Sequence, residues 1–333
     1  MVKAFVFGKF LPFHKGHEAM INFAMSKCEF LSVLVCVSDK EKISGSIRKN
    51  WIVKTFYDNS NIEVIEYYYR TDQLTNESKA SLKVSEDWSE IFKDLFPDYS
   101  ILVTSEEYGK MVAEFMNIKH ILYDIERNHV NISATYIREN IFKNWNYLPD
   151  SVKPYFTLKV VIVGTESTGK TTLAEKLAKH FNCGLVLEAA REIIANSNSF
   201  TFDDLYIVAK EHAKRIDKTI FADSPLVIID TDIHTTKSYS RFTFEKELEI
   251  NANIYNSSKA SLYLYLNNDV EHLQDGARLS EAARNLLDLS HRQVLTDHDI
   301  DFIEIRGDWD ERFDKAVEQI NKLIVTNGQK HWA

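Results

Sequence analysis

Glycine and proline are scarce in this 333-residue chain, at ten and five residues. That excludes collagen-like repeats and glycine- or proline-rich low-complexity tracts. Cysteine is scarcer still. Cys28, Cys36 and Cys183 form an odd set without metal-ligand spacing, which excludes a disulfide scaffold and a zinc ribbon and reads as reduced thiols of a cytoplasmic protein. Cys36 lies inside the apolar run from Leu31 to Val37 and reads as a core filler. No apolar run approaches the roughly 20 residues of a membrane helix. Met1-Val2-Lys3 leads straight into a strand-like segment rather than a signal peptide, so no membrane partner is expected. Positive charge is in deficit as well: 40 Lys and Arg against 49 Asp and Glu leave a net charge of −9. An electrostatic grip on nucleic acid is therefore not expected, although local loops and Mg²⁺ can still hold a nucleotide's phosphates.

What remains is ample material for a globular fold, 44% apolar and 27% charged, in a chain long enough for two domains. The few glycines are informative because four of them (Gly8, Gly16, Gly164 and Gly169) fall in two short segments. Pro149 and Pro154 lie within the best linker candidate. The expected layout is a first domain over 1–146, a linker over 147–157 and a second domain over 158–333.

Both halves open alike. Val2–Phe7 and Lys159–Val163 read as short apolar strands, each followed by a glycine-bearing loop and then a helical pattern, Glu18–Cys28 in one and Lys170–His180 in the other. Strand, phosphate loop and helix form the opening unit of doubly wound α/β folds. Leu31–Val37, Ile62–Tyr68 and Ile101–Thr104 supply further strands to the first half, and Leu185–Leu187, Leu226–Asp230 and Leu262–Leu266 to the second. Their continuous apolar character suits buried parallel sheets. Asp203–Ala222 and Glu311–Val325 carry helical spacing. The fold class is thus α/β, with two doubly wound parallel-sheet domains.

The first loop, Gly8-Lys9-Phe10-Leu-Pro-Phe-His14-Lys-Gly16-His17, places two histidines at a helix entrance. A helix N-terminus offers free N–H groups to an anion, and imidazoles beside it can donate to a phosphate as charge develops. A pair of capping or surface histidines, or a partial metal site, is the plainer alternative. Downstream, Asn131-Ile-Ser133-Ala-Thr135-Tyr-Ile-Arg138 puts two hydroxyls and a guanidinium around a second helix start, with Thr135 expected as N-cap. Taken by itself, that segment reads more readily as a plain helix cap with a solvated arginine.

The second loop, Gly164-Thr165-Glu166-Ser167-Thr168-Gly169-Lys170-Thr171, matches the P-loop pattern in full and sits between a strand and a helix; Thr172 continues it. In such loops successive backbone N–H groups cradle phosphates, the lysine reaches the β- and γ-phosphates and the hydroxyl after it ligates Mg²⁺. The strand ending at Asp230, with Asp232 just beyond, has the form of the acid segment that faces that metal, making Thr171 and Asp230 the candidate Mg²⁺ ligands. Glu188-Ala-Ala-Arg191-Glu192 follows the expected strand Leu185–Leu187. Acids at a strand's C-terminal end face the ligand crevice, where one can accept a proton from a sugar hydroxyl, and a surface helix start fits as well. Asp275-Gly276-Ala-Arg278, with Arg284 and Arg292 beyond, reads either as a lid whose arginines close over a transferring phosphate or as a loop and a solvated helix.

Gly8–His17 with Ile132–Arg138 resembles the paired signature of the HxGH nucleotidyltransferases, which have a Rossmann-like fold. The resemblance implies that His14 and His17 serve the α-phosphate of ATP, that Ser133, Thr135 and Arg138 hold the leaving pyrophosphate, and that Lys9 helps grip phosphate. The second half resembles small nucleoside and nucleoside-monophosphate kinases. Taken together, the tandem is similar to the bifunctional nicotinamide-nucleotide adenylyltransferase/ribosylnicotinamide kinases of the NadR type, by Gly8-Lys9-Phe10, Ile-Ser133-x-Thr135-x-Ile-Arg138, Glu188-x-x-Arg191-Glu192 and Asp275-Gly-x-Arg278. It implies nicotinamide riboside, nicotinamide mononucleotide and ATP as substrates, NAD as product, and Mg²⁺ as cofactor. Some members of that type carry a helix-turn-helix domain in front; with a first strand starting at Val2, none is expected here. Trp51, Tyr108, Arg127 and Trp145 are candidates for the nicotinamide, the two tryptophans reading more readily as core. Glu188 and Asp230 compete as the carboxylate nearest the sugar hydroxyl. A nucleotide-sensing regulator, or a fusion acting on another nucleoside, are the rival readings, and a homo-oligomer is left open.

Overall fold

The computed structural model describes residues 1–74, 81–194, 200–220, 224–269 and 280–330. The chain divides into two compact units, Met1–Lys153 with Asn327–Ala333, and Pro154–Thr326.

The first unit runs β1 (Lys3–Gly8), α1 (Lys15–Met25), β2 (Phe30–Ser38), α2 (Gly45–Thr55), β3 (Ile62–Tyr69), α3 (Leu82–Leu95), β4 (Ile101–Thr104), α4 (Tyr108–Met116), β5 (Lys119–Leu122) and α5 (Ala134–Glu139), ahead of the short helix α6 (Lys153–Phe156) that spans the division. Its sheet has the order β3-β2-β1-β4-β5, and every strand pair is parallel. The strand order reverses at β1, so the crevice beyond the C-terminal ends of β1 and β4 is where such a sheet takes its ligand. On one face Phe5, Phe7, Trp88, Phe92 and Phe96 form an aromatic core, with Phe5 and Phe96 stacked 4.4 Å apart. Burying one such ring is worth roughly 1.5–3 kcal/mol, and this cluster anchors the strand that delivers the first loop.

The second unit runs β6 (Leu158–Val163), α7 (Lys170–Phe181), β7 (Gly184–Val186), α8 (Ala190–Ile193), α9 (Phe202–Ile220), β8 (Leu226–Asp230), α10 (Ile233–Phe244), α11 (Ala252–Ser258), β9 (Leu262–Leu266), α12 (Glu281–Asp297), β10 (Ile303–Ile305) and α13 (Trp309–Lys330). Its sheet order is β10-β9-β6-β8-β7, again wholly parallel. Val161, Val163, Val227, Ile229, Tyr263 and Tyr265 share one buried cluster. Both halves are therefore the doubly wound parallel-sheet folds expected.

Two strands were not legible in advance. β5 and β10 are edge strands of four and three residues with mixed polar content. Such short segments carry no periodicity of their own. Helix α1 starts three residues before the expected Glu18, because His14 takes the N-cap position and its carbonyl accepts from Glu18 N at 3.0 Å.

Candidate functional sites

The first loop leaves the C-terminal end of β1, the central strand. Phe10 adopts a left-handed φ of 49° and is wholly buried, its ring edge-on to His17 at 5.0 Å. His14 caps α1 by accepting the His17 amide at Nδ1, 3.3 Å away. A neutral His14 therefore carries its ring proton on Nε2. The two imidazoles stack 3.6 Å apart. A β-carbon on Gly16 would meet the His14 ring at 3.0 Å, so this position must be small. Burial drives His17 down to about 3, with the charges of Arg127 and Arg138 adding to it. Burial likewise holds His14 well below its usual value, followed by His17 and the same two arginines. Both rings are neutral at pH 7, so the pair stays intact without charge repulsion.

Ser133, not Thr135, caps α5: its hydroxyl accepts the Tyr136 amide at 3.2 Å. Thr135 lies inside the first turn, where its hydroxyl accepts from Arg138 Nη2 at 3.1 Å. Arg138 Nη1 also donates to the Leu11 carbonyl at 2.8 Å. The guanidinium thus joins the two motif segments into one site, as the paired signature requires. The ammonium of Lys9, expected to help grip phosphate, lies 3.4 Å from Glu41. The same carboxylate receives Arg48, whose fully buried guanidinium also donates to the Lys9 and Cys36 carbonyls at 2.7 and 3.2 Å. Arg48 went unnoticed in the sequence, where it looks like a solvated charge on α2. Trp51 and Trp145 are core residues, and Tyr108 packs against the aromatic cluster. Of the four nicotinamide candidates only Arg127 is exposed, at a left-handed φ of 54°.

In the second unit the Gly164–Lys170 loop joins β6 to α7 with three left-handed or Gly-only positions, Gly164 (φ 142°), Ser167 (φ 63°) and Gly169 (φ 87°). A β-carbon on Gly164 would fall 2.6 Å from the Leu266 carbonyl oxygen. Lys170 opens α7 and its ammonium donates to the Thr165 carbonyl at 2.9 Å, as does the Thr168 hydroxyl. Among the described residues the buried hydroxyls of Thr165 and Ser167 have no hydrogen-bond partner. Glu166 accepts from the Tyr239 hydroxyl at 3.3 Å.

Thr171 and Asp230 meet as expected: the hydroxyl donates to Asp230 Oδ2 at 2.5 Å and accepts from Arg191 Nη2 at 2.8 Å. Glu188 stands beside them with Arg191 at 3.4 Å. Burial raises the Glu188 carboxyl, as does the charge of Asp230, against the pull of Lys170 and Arg191. Lys170, Thr171, Thr172, Glu188 and Arg191 line one cleft of about 1110 Å³. His212, which also lines it, donates to the Thr231 carbonyl at 3.1 Å and had no sequence signal.

Three expected site residues do other work. The Asp232 carboxylate caps α10, accepting the His234 and Thr235 amides at 3.0 and 3.1 Å and His234 Nδ1 at 2.5 Å, so only its position, not a free carboxylate, borders the cleft. Glu192 turns to α9 and takes both Nη atoms of Arg215, at 3.1 and 2.5 Å. Arg292 is fixed by Asp288, Glu304 and Asn267 and lies 4.1 Å over the Tyr265 ring, which removes it from any lid. Arg284 is buried on α12, and among the described residues its Nε and Nη2 have no hydrogen-bond partner. Asp275 and Arg278 lie outside the described residues. Among the described residues no three His, Cys, Asp or Glu side chains form a metal cluster, and no helix is long and apolar enough to cross a membrane.

The class these features define is a tandem of two α/β phosphate-binding units, a histidine-bearing loop in the first and a P-loop in the second. Residues 159–312 match the AAA domain family. The resemblance to the NadR type extends along nearly the whole chain. It is 29% identical to the trifunctional NAD biosynthesis/regulator protein NadR of Salmonella typhimurium, over 97% of this chain and 83% of that protein. The corresponding Escherichia coli NadR is 27% identical, over 96% and 82%. Two solved NadR structures share the fold: one in complex with NR at a TM-score of 0.70 and 19% identity, the other with NAD and AMP-PNP at 0.69 and 20%. Each covers 97% of this chain and is itself covered to 96%.

Proposed function

We propose that the chain makes NAD in two consecutive ATP-dependent steps. The P-loop unit transfers the γ-phosphoryl group of ATP to the 5′-hydroxyl of nicotinamide riboside, giving nicotinamide mononucleotide and ADP. In the first unit a phosphate oxygen of that mononucleotide attacks the α-phosphorus of a second ATP; the bond to the bridging oxygen breaks, and NAD and pyrophosphate leave. The observation that carries the reading is one chain holding both sites, a stacked neutral His14/His17 pair and a complete P-loop facing Asp230. The names of the NadR relatives supply the nicotinamide acceptor.

In the first step Lys170 neutralises the β- and γ-phosphates and Glu188 takes the hydroxyl proton. Thr171 and Asp230 suit Mg²⁺: a hydroxyl and a carboxylate 2.5 Å apart are hard oxygen donors. Such an ion would be held by these few protein groups together with phosphate oxygens and water. It would neutralise charge on the transferring group. Arg191, which donates to the same hydroxyl at 2.8 Å, would be free to turn to phosphate if Thr171 served such an ion. In the second step His14 and His17 donate to the α-phosphate as its charge grows, and Ser133, Thr135 and Arg138 hold the departing pyrophosphate. The reactants are small molecules throughout.

The test is an assay with ATP, Mg²⁺ and nicotinamide riboside that follows mononucleotide and NAD separately. His17→Ala should stop NAD formation and let mononucleotide accumulate. Lys170→Ala should abolish phosphorylation yet still convert supplied mononucleotide to NAD. Phosphorylation of a different nucleoside, with nicotinamide riboside left untouched, would remove the acceptor assignment.

A further inference from the structure

Arg312 lies on α13, outside every phosphate-binding motif, yet its guanidinium is 1% exposed and fully engaged. Nη1 donates to the Thr168 carbonyl at 2.9 Å, Nε to the Gly307 carbonyl at 2.8 Å and Nη2 to the Asn267 carbonyl at 3.1 Å. Nη2 also pairs with Asp269, whose other oxygen accepts the Gly307 amide at 3.1 Å. One side chain therefore gathers carbonyls from the P-loop and from the loops that leave β9 and β10.

The Thr168 contact matters most. A trans peptide is planar, and its C=O and N–H point in opposite directions. Holding the Thr168 carbonyl toward Arg312 therefore turns the Gly169 amide the other way, out of the guanidinium's reach. That amide belongs to the run of N–H groups with which a P-loop receives phosphate. Three residues earlier on the same helix, Trp309 lies against Gly169 so closely that a β-carbon there would fall 2.2 Å from the indole. Residues 309 and 312 share one face of α13 and brace the Thr168–Gly169 peptide at its Cα and its carbonyl.

We propose that Arg312 is a positioning residue of the P-loop site, holding this peptide so that the loop is set for phosphate before ATP arrives. It touches no substrate and acts through the loop backbone. The proposal rests on the kinase reading above and adds to it a residue that no motif contains.

The measurement is steady-state kinetics of nicotinamide riboside phosphorylation by the full chain. Arg312→Lys keeps the charge, but a tetrahedral ammonium cannot serve three carbonyls in the plane of a guanidinium. The KM for ATP should rise about tenfold, the size of one lost charge-assisted hydrogen bond, while the KM for the nucleoside and the rate of adenylyl transfer stay put. Arg312→Ala should lose more and regain ATP affinity when methylguanidinium, but not methylammonium, is added. Wild-type constants in Arg312→Lys would overturn the proposal, as would equal rises in both KM values or rescue by both cations. If Arg312→Ala is not recovered folded, the lysine variant decides through the split between the two KM values. A wild-type chain that phosphorylates no nucleoside overturns the kinase reading instead, so the two failures are distinct.

Discussion

Gly169→Ala probes the P-loop through two separable effects. Gly169 sits at φ 87°, and its missing β-carbon would lie 2.2 Å from Trp309 Cη2 and 2.5 Å from Cζ3. The backbone conformation alone costs an alanine about 1–2 kcal/mol. Ordinary carbon–carbon contact needs roughly 3.5–4 Å, so either the indole or the loop must move by well over an ångström. A displacement of that size at a phosphate site costs about a hundredfold in rate. With the backbone strain, worth about tenfold if it is relieved by moving the loop, the expected loss in kcat/KM for phosphorylation is about a thousandfold. Adenylyl transfer from supplied mononucleotide should be unchanged. Trp309→Ala in the Gly169→Ala background opens the space and should restore the displacement share but not the strain share. The assay is coupled detection of ADP with saturating nicotinamide riboside. A single mutant within a few-fold of wild type, or a double mutant no better than the single, would refute the steric account.

Other perturbations test other parts. Asp232→Ala removes an N-cap worth about 1 kcal/mol and leaves the buried His234 Nδ1 without its carboxylate, which costs about 1–3 kcal/mol, so denaturant unfolding should show a loss of roughly 2–4 kcal/mol. His234 lowers the Asp232 carboxyl despite its burial. The stability that carboxylate contributes is thus present above its unfolded pKa of about 3.9 and is lost as pH falls through the lower folded value. Asp232→Asn should flatten that acid limb. Glu188→Gln should lower phosphorylation by about a hundredfold or more, the contribution of a general base. Because burial raises the Glu188 carboxyl, the wild-type rate should fall on acidification at a higher pH than an ordinary glutamate would give, and the variant should lack that limb. Ser133→Ala should cost about 1 kcal/mol through its cap, whereas Thr135→Ala should leave thermal unfolding of the first unit nearly unmoved.

The phosphate loops were legible because they are local. Gly8–His17 and Gly164–Thr171 are contiguous, follow apolar strands and concentrate a scarce residue. The pairing of Thr171 with Asp230 was legible because strand ends converge in a parallel sheet. What escaped is the destination of charged side chains. Arg48 and Arg312 look like solvated helix charges until the fold buries them against carbonyls, and Glu192, Lys9 and Arg292 look like site residues until a neighbour claims them. Arg215 and Glu41 stand 23 and 32 positions away from Glu192 and Lys9, beyond any local pattern, whereas Asp288 meets Arg292 at the i,i+4 spacing of α12. The choice between Ser133 and Thr135 as cap turned on one hydrogen bond that either hydroxyl could have made.

The stacked histidines of the first site also carry a consequence for solution thermodynamics. Imidazoles that are deprotonated while the site is empty gain basicity when polyphosphate enters beside them, since a nearby anion favours the charged form. Nucleotide binding at that site should therefore draw protons from solvent on the acid side of neutrality, within the few units by which an anion raises such rings. Calorimetric titrations of ATP in buffers of different ionisation enthalpy should give different apparent heats in the wild type and converge in the His14→Ala/His17→Ala double variant. Heats that do not depend on the buffer would mean the rings stay neutral throughout, acting as dipoles rather than as proton acceptors.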